Sequence, residues 1–261
     1  MAQHETEPFG ITYDRLRLDR NVRRILGRHR IDSVLELPAG GAKAMPSIYS
    51  LPFGKQGCDV HLFNPEEQGL EVWRRLGWED RITVHRGDPK ATGLADDRFD
   101  LVWNFVTVGF DPEFPQIIDE MARVSGQYVL TVHCNGFNLG YPWHRFLHKA
   151  LRLHWNHGET AYFFPRKVRS AYRAAGLEPV GFGLFDMPPW PDPPGFRDVR
   201  LHMTGGDDVE ALDWSAPIEK IYASGTIPRG LRVLSRVEEL PIPNLVRFPF
   251  SHLFYVLGRK R

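Results

Sequence analysis

Residues 31–43 read I-D-S-V-L-E-L-P-A-G-G-A-K, and this stretch decides how the rest of the chain is interpreted. A short apolar run ends at the acid Glu36 and passes directly into a loop of small residues at 38–42. Only a backbone without bulky side chains can come close to a ligand and present its N–H groups to it. The pattern therefore predicts a buried strand over residues 33–37, with a following loop that faces a nucleotide-like ligand.

The composition is that of an ordinary globular chain. Its 261 residues carry 33 Lys and Arg against 32 Asp and Glu, so charge gives no reason to expect a nucleic-acid partner. Two cysteines are too few for a disulfide framework, and no segment has the pattern of a leader peptide. No apolar run reaches the roughly 18 residues of a membrane-spanning helix. We therefore expect a cytoplasmic protein with one core and insertions.

Hydrophobic spacing predicts strands that alternate with helices. Predicted strands cover residues 59–63, 81–84, 99–105, 128–133, 177–184 and 253–257, and predicted helices cover 13–30, 45–51, 142–155 and 165–176. Two further helices are expected to start at Asn64-Pro65 and Asp111-Pro112, where a cap residue precedes proline. This alternation predicts a mostly parallel sheet with right-handed crossovers. Its ligands should bind beyond the carboxyl ends of the strands.

Two regions stand out from this regular pattern. The helix at 13–30 is rich in arginine, and we expect its basic face to be solvated, with an anion- or membrane-binding face as the alternative. Aromatic and histidine residues crowd 135–165, and prolines are frequent in 186–250.

Four motifs follow one another at the ends of the predicted strands. They are E-x-x-x-G-x-A from Glu36, N-P-E-E from Asn64, G-D at 87–88 and F-D-L-V-W-N-F at 99–105. In this order the chain resembles the class I S-adenosylmethionine-dependent methyltransferases over about residues 30–185 and the final strand. The resemblance implies an α/β, Rossmann-like fold with a mostly parallel central sheet of about seven strands and helices on both faces.

The resemblance also implies a domain organisation and an activity. One domain would span 1–261, with an N-terminal helical segment at 1–30 and a cofactor-binding half at 31–134. Insertions at 135–165 and 186–250 would cap the acceptor site. The activity would be transfer of a methyl group from S-adenosylmethionine to a small, aromatic or hydrophobic acceptor, with S-adenosylhomocysteine as product.

Cofactor-binding residues follow by position from the same resemblance. Glu36 would hold the loop or the methionine ammonium group, Asn64 would take the place of the usual acid at the ribose hydroxyls, and Asp88 would bind the adenine amino group. The alternatives are a plain helix cap for Asn64 and a turn residue for Asp88. The complete predicted set is Glu36, Pro38, Ala39, Gly40, Asn64, Pro65, Asp88, Pro89, Asn104 and Phe105.

The loop departs from the pattern of the family. Pro38, Gly40 and Ala42 occupy the three places where the family usually has glycine, and only Gly40 is retained. Because Pro38 has no N–H and a fixed backbone angle, the loop must reach the cofactor differently.

Methyl transfer depends mainly on in-line positioning, with a general base only where the acceptor must lose a proton. The candidate catalytic residues are His133, at the end of the fifth strand, and Tyr141 and His144 in the aromatic insertion. His144 and His148 share a helix face, but no adjacent glutamate or cysteine cluster accompanies them. We therefore predict a lid helix there and no metal site. The aromatic residues suit either an acceptor pocket or ordinary packing: Tyr141, Trp143, Trp155, Tyr162, Phe163 and Phe164.

Three other functions compete with this interpretation. A non-catalytic binding or scaffold protein would explain the altered glycine loop and the missing ribose acid. A nicotinamide-dependent oxidoreductase would need G-x-G-x-x-G, which P-A-G-G-A-K does not provide. A membrane surface as partner would imply a lipid acceptor and is less favoured. Asn104-Phe105 lacks the Asn-Pro-Pro-aromatic signature of methyltransferases that act on nucleic-acid amino groups.

Overall fold

A seven-stranded sheet forms the centre of the computed structural model, which describes residues 4–7, 9–41, 45–152, 159–185 and 213–261. The strands are β1 (His4–Thr6), β2 (Ser33–Glu36), β3 (Asp59–Phe63), β4 (Ile82–His85), β5 (Phe99–Phe105), β6 (Ser125–Cys134), β7 (Leu177–Phe185), β8 (Asp213–Ser215) and β9 (Leu253–Lys260). The α-helices are α1 (Phe9–Leu26), α2 (Leu51–Lys55), α3 (Glu67–Arg75), α4 (Phe114–Val124), α5 (Gly140–Ala150), α6 (Pro165–Ala174), α7 (Pro217–Ser224), α8 (Arg229–Val237) and α9 (Asn244–Arg247).

The strand order of the sheet is β4-β3-β2-β5-β6-β9-β7. All pairings are parallel except those of β9, which runs antiparallel to both β6 and β7. Strand β2 lies between β3 and β5, so that Val34 faces Val60 on one side and Leu101 on the other. β1 and β8 form a separate two-stranded parallel sheet. The predicted mostly parallel α/β sheet is confirmed, and the carboxyl ends of β2, β3 and β5 are neighbours.

Both faces of the sheet are covered by helices. On β2, Val34 packs into one hydrophobic cluster with residues of α1, α2 and α3, and Leu35 packs into a second with residues of α4 and α6. On β5, Trp103 packs into the first cluster and Val102 into the second. Successive side chains of a strand point to opposite faces, so a strand covered on both faces is apolar throughout. The largely apolar pattern of 99–105, which only Asp100 and Asn104 interrupt, has this cause.

The first helix after the glycine loop differs from its prediction. Residues 45–50 are not helical, and α2 begins at Leu51 and includes Pro52. Proline is tolerated in the first turn of a helix because the N–H that it lacks has no partner inside the helix there. The expectation that Pro52 ends a helix is therefore wrong; it lies at the start of one.

Two predicted helix starts are also wrong by a few residues. α3 begins at Glu67 rather than at Asn64-Pro65, and Asn64 itself has a positive φ of 53°. α4 begins at Phe114, and the Asp111 carboxylate accepts a hydrogen bond of 2.7 Å from Glu113 N in a turn before it. Asparagine and aspartate form such turns through their side chains as readily as they cap helices.

The basic face of α1 is not solvated throughout, contrary to the expectation. Arg15 lies 2.6 Å from Glu7 and Arg17 lies 3.0 Å from Glu238, and all four side chains are buried. Helices α7 and α8 pack against α1 and cover this face. The sequence pattern of α1 alone could not reveal an acid more than 200 residues away.

Smaller differences concern the second half of the chain. β6 begins at Ser125, directly after α4, so Gly126 lies inside a strand instead of ending a helix. α5 covers Gly140–Ala150 instead of 142–155. Ala42, His154, Trp155, His157 and the proline-rich residues 186–212 lie outside the described residues. No helix in the described ranges is long and apolar enough to cross a membrane.

Candidate functional site

The glycine loop continues the line of β2 at the carboxyl edge of the sheet. Leu37 N donates to Trp103 O at 2.9 Å, and Ala39 N donates to Phe63 O at 2.7 Å. The Leu37–Pro38 peptide bond is cis, and Asn104 Nδ2 donates to Pro38 O at 3.0 Å. These bonds fix the loop between the ends of β3 and β5, which is where the sequence predicted a ligand loop.

Glu36 holds the segment that returns from this loop. Its carboxylate is fully buried and accepts hydrogen bonds of 2.5 Å from both Ser47 Oγ and Ser50 Oγ. Ser50 Oγ in turn accepts a bond of 3.0 Å from Trp103 Nε1. Burial raises the pKa of Glu36 to about 7. Of the two roles that the resemblance implied, these contacts provide the loop-holding one.

Glu66 is a site residue that the sequence analysis missed. Its Oε1 accepts from Gly41 N and its Oε2 from Ser47 N, each at 2.9 Å, so one carboxylate links Gly41 to Ser47. A Cβ at Gly41 would lie 2.3 Å from Met45 O and 2.8 Å from Glu66 Oε1, which excludes any other residue there. The sequence signal was the N-P-E-E run from Asn64, from which we predicted only the start of a helix and a family motif.

Gly40 differs from its neighbour Gly41. A Cβ at Gly40 would meet no atom within 4 Å, so the backbone faces open space at this position. The two preceding residues are less accessible: Pro38 is half-buried and Ala39 is buried. Gly40 is therefore the position at which a ligand can approach the loop backbone.

Asn64 joins the loops that follow β3 and β4. Its Nδ2 donates to Gly87 O at 2.8 Å, and its Oδ1 accepts from Gly87 N at 3.0 Å. The alternative of a plain helix cap is wrong, because α3 begins three residues later at Glu67. These two bonds leave one donor and one acceptor position on the amide.

Asp88 lies at the tip of the second of these loops. Its Oδ1 accepts from Lys90 N at 2.9 Å, which is the turn role considered as the alternative. The carboxylate is nevertheless exposed, and its second oxygen makes no hydrogen bond to any residue that the structure describes. Pro65 is buried and Pro89 half-buried behind the two loops. The geometry thus keeps an exposed carboxylate beside Asn64.

Asn104 and Phe105 support the loop from inside. Both side chains are buried. Asn104 Nδ2 donates to Thr107 Oγ1 at 2.8 Å as well as to Pro38 O, and its Oδ1 accepts from Val108 N at 3.1 Å. Phe105 stacks on Tyr49 with 4.0 Å between ring centroids. These two residues shape the site rather than line open space.

His133 lies in the core and not at an open strand end. It is 1% exposed, its Nε2 is 2.7 Å from Thr131 Oγ1, and its ring lies between those of Phe114 and Phe254. Burial lowers the pKa of His133 to about 3, so the imidazole is neutral. The expectation that its position exposes it to an acceptor is wrong, because the loop at Gly109 and the flanking aromatic rings cover it.

Tyr141 and His144 lie on α5, above the loop that follows β5. The Tyr141 ring packs edge-on against Phe163, which contacts Phe110 at 5.8 Å between ring centroids. The His144 and His148 rings stack with 4.7 Å between centroids. Among the described residues no three potential metal ligands come together.

Comparisons with known proteins agree with this arrangement. A family model described as a methyltransferase domain matches residues 43–128. An S-adenosylmethionine-dependent methyltransferase from Thermotoga maritima, described as a possible histamine N-methyltransferase, superposes with a TM-score of 0.54 at 12% identity, covering 97% of this chain and 93% of that one. A second such methyltransferase, from Archaeoglobus fulgidus, gives 0.53 at 14% identity and covers 93% of each chain.

The fold by itself does not fix the reaction. The [4+2]-cyclase SpnF shares it with a TM-score of 0.51 at 12% identity, covering 93% of this chain and 81% of that one. No curated protein matches the chain. Nothing in the comparisons favours the non-catalytic alternative over an enzyme. The methyltransferase-domain match over residues 43–128 and the seven-stranded, mostly parallel sheet agree in giving the chain the class I, Rossmann-like fold of the S-adenosylmethionine-dependent methyltransferases.

Proposed function

We propose that the enzyme methylates a small molecule held between the loop after β5 and the insertion at 135–165. The observation that carries this proposal is the attachment of the insertion to that loop. Glu159 N donates to Phe110 O at 2.8 Å, and the Phe163 ring packs on the Phe110 ring with 5.8 Å between centroids. The insertion therefore lies over the carboxyl edge of the sheet, beside the loop that Asn104 fixes.

The residues of the carboxyl edge fit S-adenosylmethionine. Open space beside Gly40 admits a ligand to the loop backbone. The exposed Asp88 carboxylate can accept from an adenine amino group, and Asn64 retains a donor and an acceptor for a ribose. Pro38, Ala39, Pro65 and Pro89 would give the walls of this site, while Glu36, Asn104 and Phe105 would hold its shape.

The chain's own contribution to the reaction is then mostly positional. S-adenosylmethionine supplies an already activated methyl group. Glu66 and Glu36 hold the two sides of the loop, and the Asn104 bond to Pro38 O ties that loop to the one beneath the acceptor. His144 is the proposed group of the insertion that takes a proton where the acceptor must lose one, and the Tyr141 hydroxyl would orient the acceptor by hydrogen bonding. His133 is not proposed for this role.

Binding of the cofactor is tested by titration calorimetry with S-adenosylhomocysteine. We expect Asp88→Ala to weaken binding about tenfold, the effect of losing a hydrogen bond to a charged group. Asp80→Ala removes an exposed aspartate from a turn outside the site and serves as the matched control. Equal affinities for the two variants would remove Asp88 from the site.

The acceptor class is tested by measuring the release of S-adenosylhomocysteine with separate panels of candidate acceptors: small molecules, proteins and RNA. Small aromatic or hydrophobic alcohols and amines should support turnover, and Tyr141→Phe with His144→Gln should lower it. Turnover with protein or RNA substrates alone would contradict the proposal. A cytoplasmic location and the lack of a nucleic-acid partner remain predictions; Cys58 and Cys134 form no disulfide, which suits a reducing compartment.

A further inference from the structure

A cavity of about 690 Å³ lies between α1 and α8. It shares no lining residue with the candidate cofactor site. Arginines are spaced three and four residues apart on α1 and four apart on α8, so they lie on the helix faces that border the cavity. Six arginines line it: Arg17, Arg20, Arg23, Arg24, Arg232 and Arg236. The only carboxylate among the lining residues is that of Glu239.

Half of these arginines are neutralised by acids. The pairs are Arg17 with Glu238, Arg20 with Glu239 and Arg23 with Asp19. The other three have no carboxylate within 4 Å in the part of the chain that the structure describes. Arg24 bonds only the neutral Asn21 Oδ1 and Arg232 only the neutral Ile227 O among the described residues. The cavity therefore concentrates three uncompensated positive charges.

The crowding of these charges acts on Arg20, which lies among them. Burial, and then the positive charges of neighbouring arginines, lower the pKa of the Arg20 guanidinium. Like charges brought together in this way repel one another, and an anion bound between them relieves the repulsion. The Leu16 and Ile227 side chains complete the lining and offer no negative charge.

We propose that this cavity binds a soluble anion that carries two or more phosphate groups. Guanidinium groups donate two parallel hydrogen bonds to phosphate oxygens, and a multivalent anion matches three free charges better than a single carboxylate does. The volume is in the range of small-molecule sites. Arg17 lines the cavity with a side chain that is only 3% exposed, so a flat membrane surface would not reach this part of the lining.

The test uses sodium tripolyphosphate and the full chain in titration calorimetry at low salt. Arg24→Gln and Arg232→Gln each remove one uncompensated charge. Arg30→Gln and Arg229→Gln remove the same charge from positions near the same two helices that do not line the cavity. We expect one binding site, about tenfold weaker in each of the first two variants and unchanged in the two controls.

Other results would overturn the proposal. Absence of binding at millimolar tripolyphosphate, or equal binding by all four variants, would show that the cavity is not an anion site. Binding to phosphatidylserine vesicles without binding to tripolyphosphate would make the surface a membrane contact instead. Thermal unfolding of each variant verifies that a loss of affinity is not a loss of fold.

Discussion

Replacing Glu36 by glutamine should make the stability of the protein less dependent on pH. Glu36 is fully buried, and burial raises its pKa from the ordinary 4.5 to about 7. Between these two values the unfolded chain releases the proton while the folded chain keeps it. The contribution of Glu36 to the free energy of unfolding is therefore fully present below pH 4.5 and is lost as the pH rises to about 7.

The size of this effect follows from the difference between the two pKa values. A change from 4.5 to about 7 corresponds to roughly 3 kcal/mol of unfolding free energy. Glutamine has the shape of glutamate and can still bond Ser47 and Ser50, but it does not titrate. We expect wild type to lose about 3 kcal/mol relative to Glu36→Gln between pH 4.5 and pH 8.

The assay is urea unfolding followed by tryptophan fluorescence at constant ionic strength. Glu120→Gln provides a control of opposite sign. Although burial acts in the other direction, hydrogen bonds from Arg123 and Thr92 lower the pKa of Glu120 to about 2. The contribution of Glu120 to the free energy of unfolding is thus lost as the pH falls from 4.5 towards 2, and it is constant above pH 5. A constant difference between wild type and Glu36→Gln from pH 4.5 to 8 would refute the reasoning.

Three further changes probe the contacts around the site and α1. Glu66→Ala frees Gly41 N, and we expect about tenfold weaker binding of S-adenosylhomocysteine in calorimetry with an unchanged far-ultraviolet spectrum; undiminished binding would show that the loop needs no such support. Gly109→Ala would place a Cβ 2.6 Å from His133 Nδ1, so urea unfolding should show a loss of about 1–3 kcal/mol. Arg17→Met leaves the Glu238 carboxylate buried with less compensation, and a loss of about 3–5 kcal/mol is expected; the double variant with Glu238→Gln should recover part of it.

The sheet could be predicted from the sequence because its strands carry a local signal. β3 and β5 have the predicted bounds: apolar residues alternate with polar ones in the first half of β3, and β5 is largely apolar because helices cover both of its faces. The helix starts at Asn64 and Asp111 could not be placed, because the same side chain can cap a helix or close a turn before one. Which of the two forms depends on partners such as Gly87 that the local sequence does not specify.

The site was predictable in its location but less so in its contacts. The motif order placed the loops of Gly40, Asn64 and Asp88 at one edge of the sheet, as the structure does. The role of Glu66 depends on the backbone N–H groups of Gly41 and Ser47, which precede it by 25 and 19 residues. Similarly, the burial of His133 depends on a loop and on aromatic rings from distant parts of the chain, so its strand-end position was misleading.

The position of β9 has a consequence for how the protein is made. This strand lies between β6 and β7 and supplies the backbone partner of both. During synthesis on the ribosome, β6 cannot form its pairing with β9 until more than a hundred further residues have been translated. Until then both strands expose unpaired edges, which invite association with other nascent chains. The rate-limiting event of folding should accordingly be the late insertion of this strand, and chaperone demand should be greatest just before it emerges.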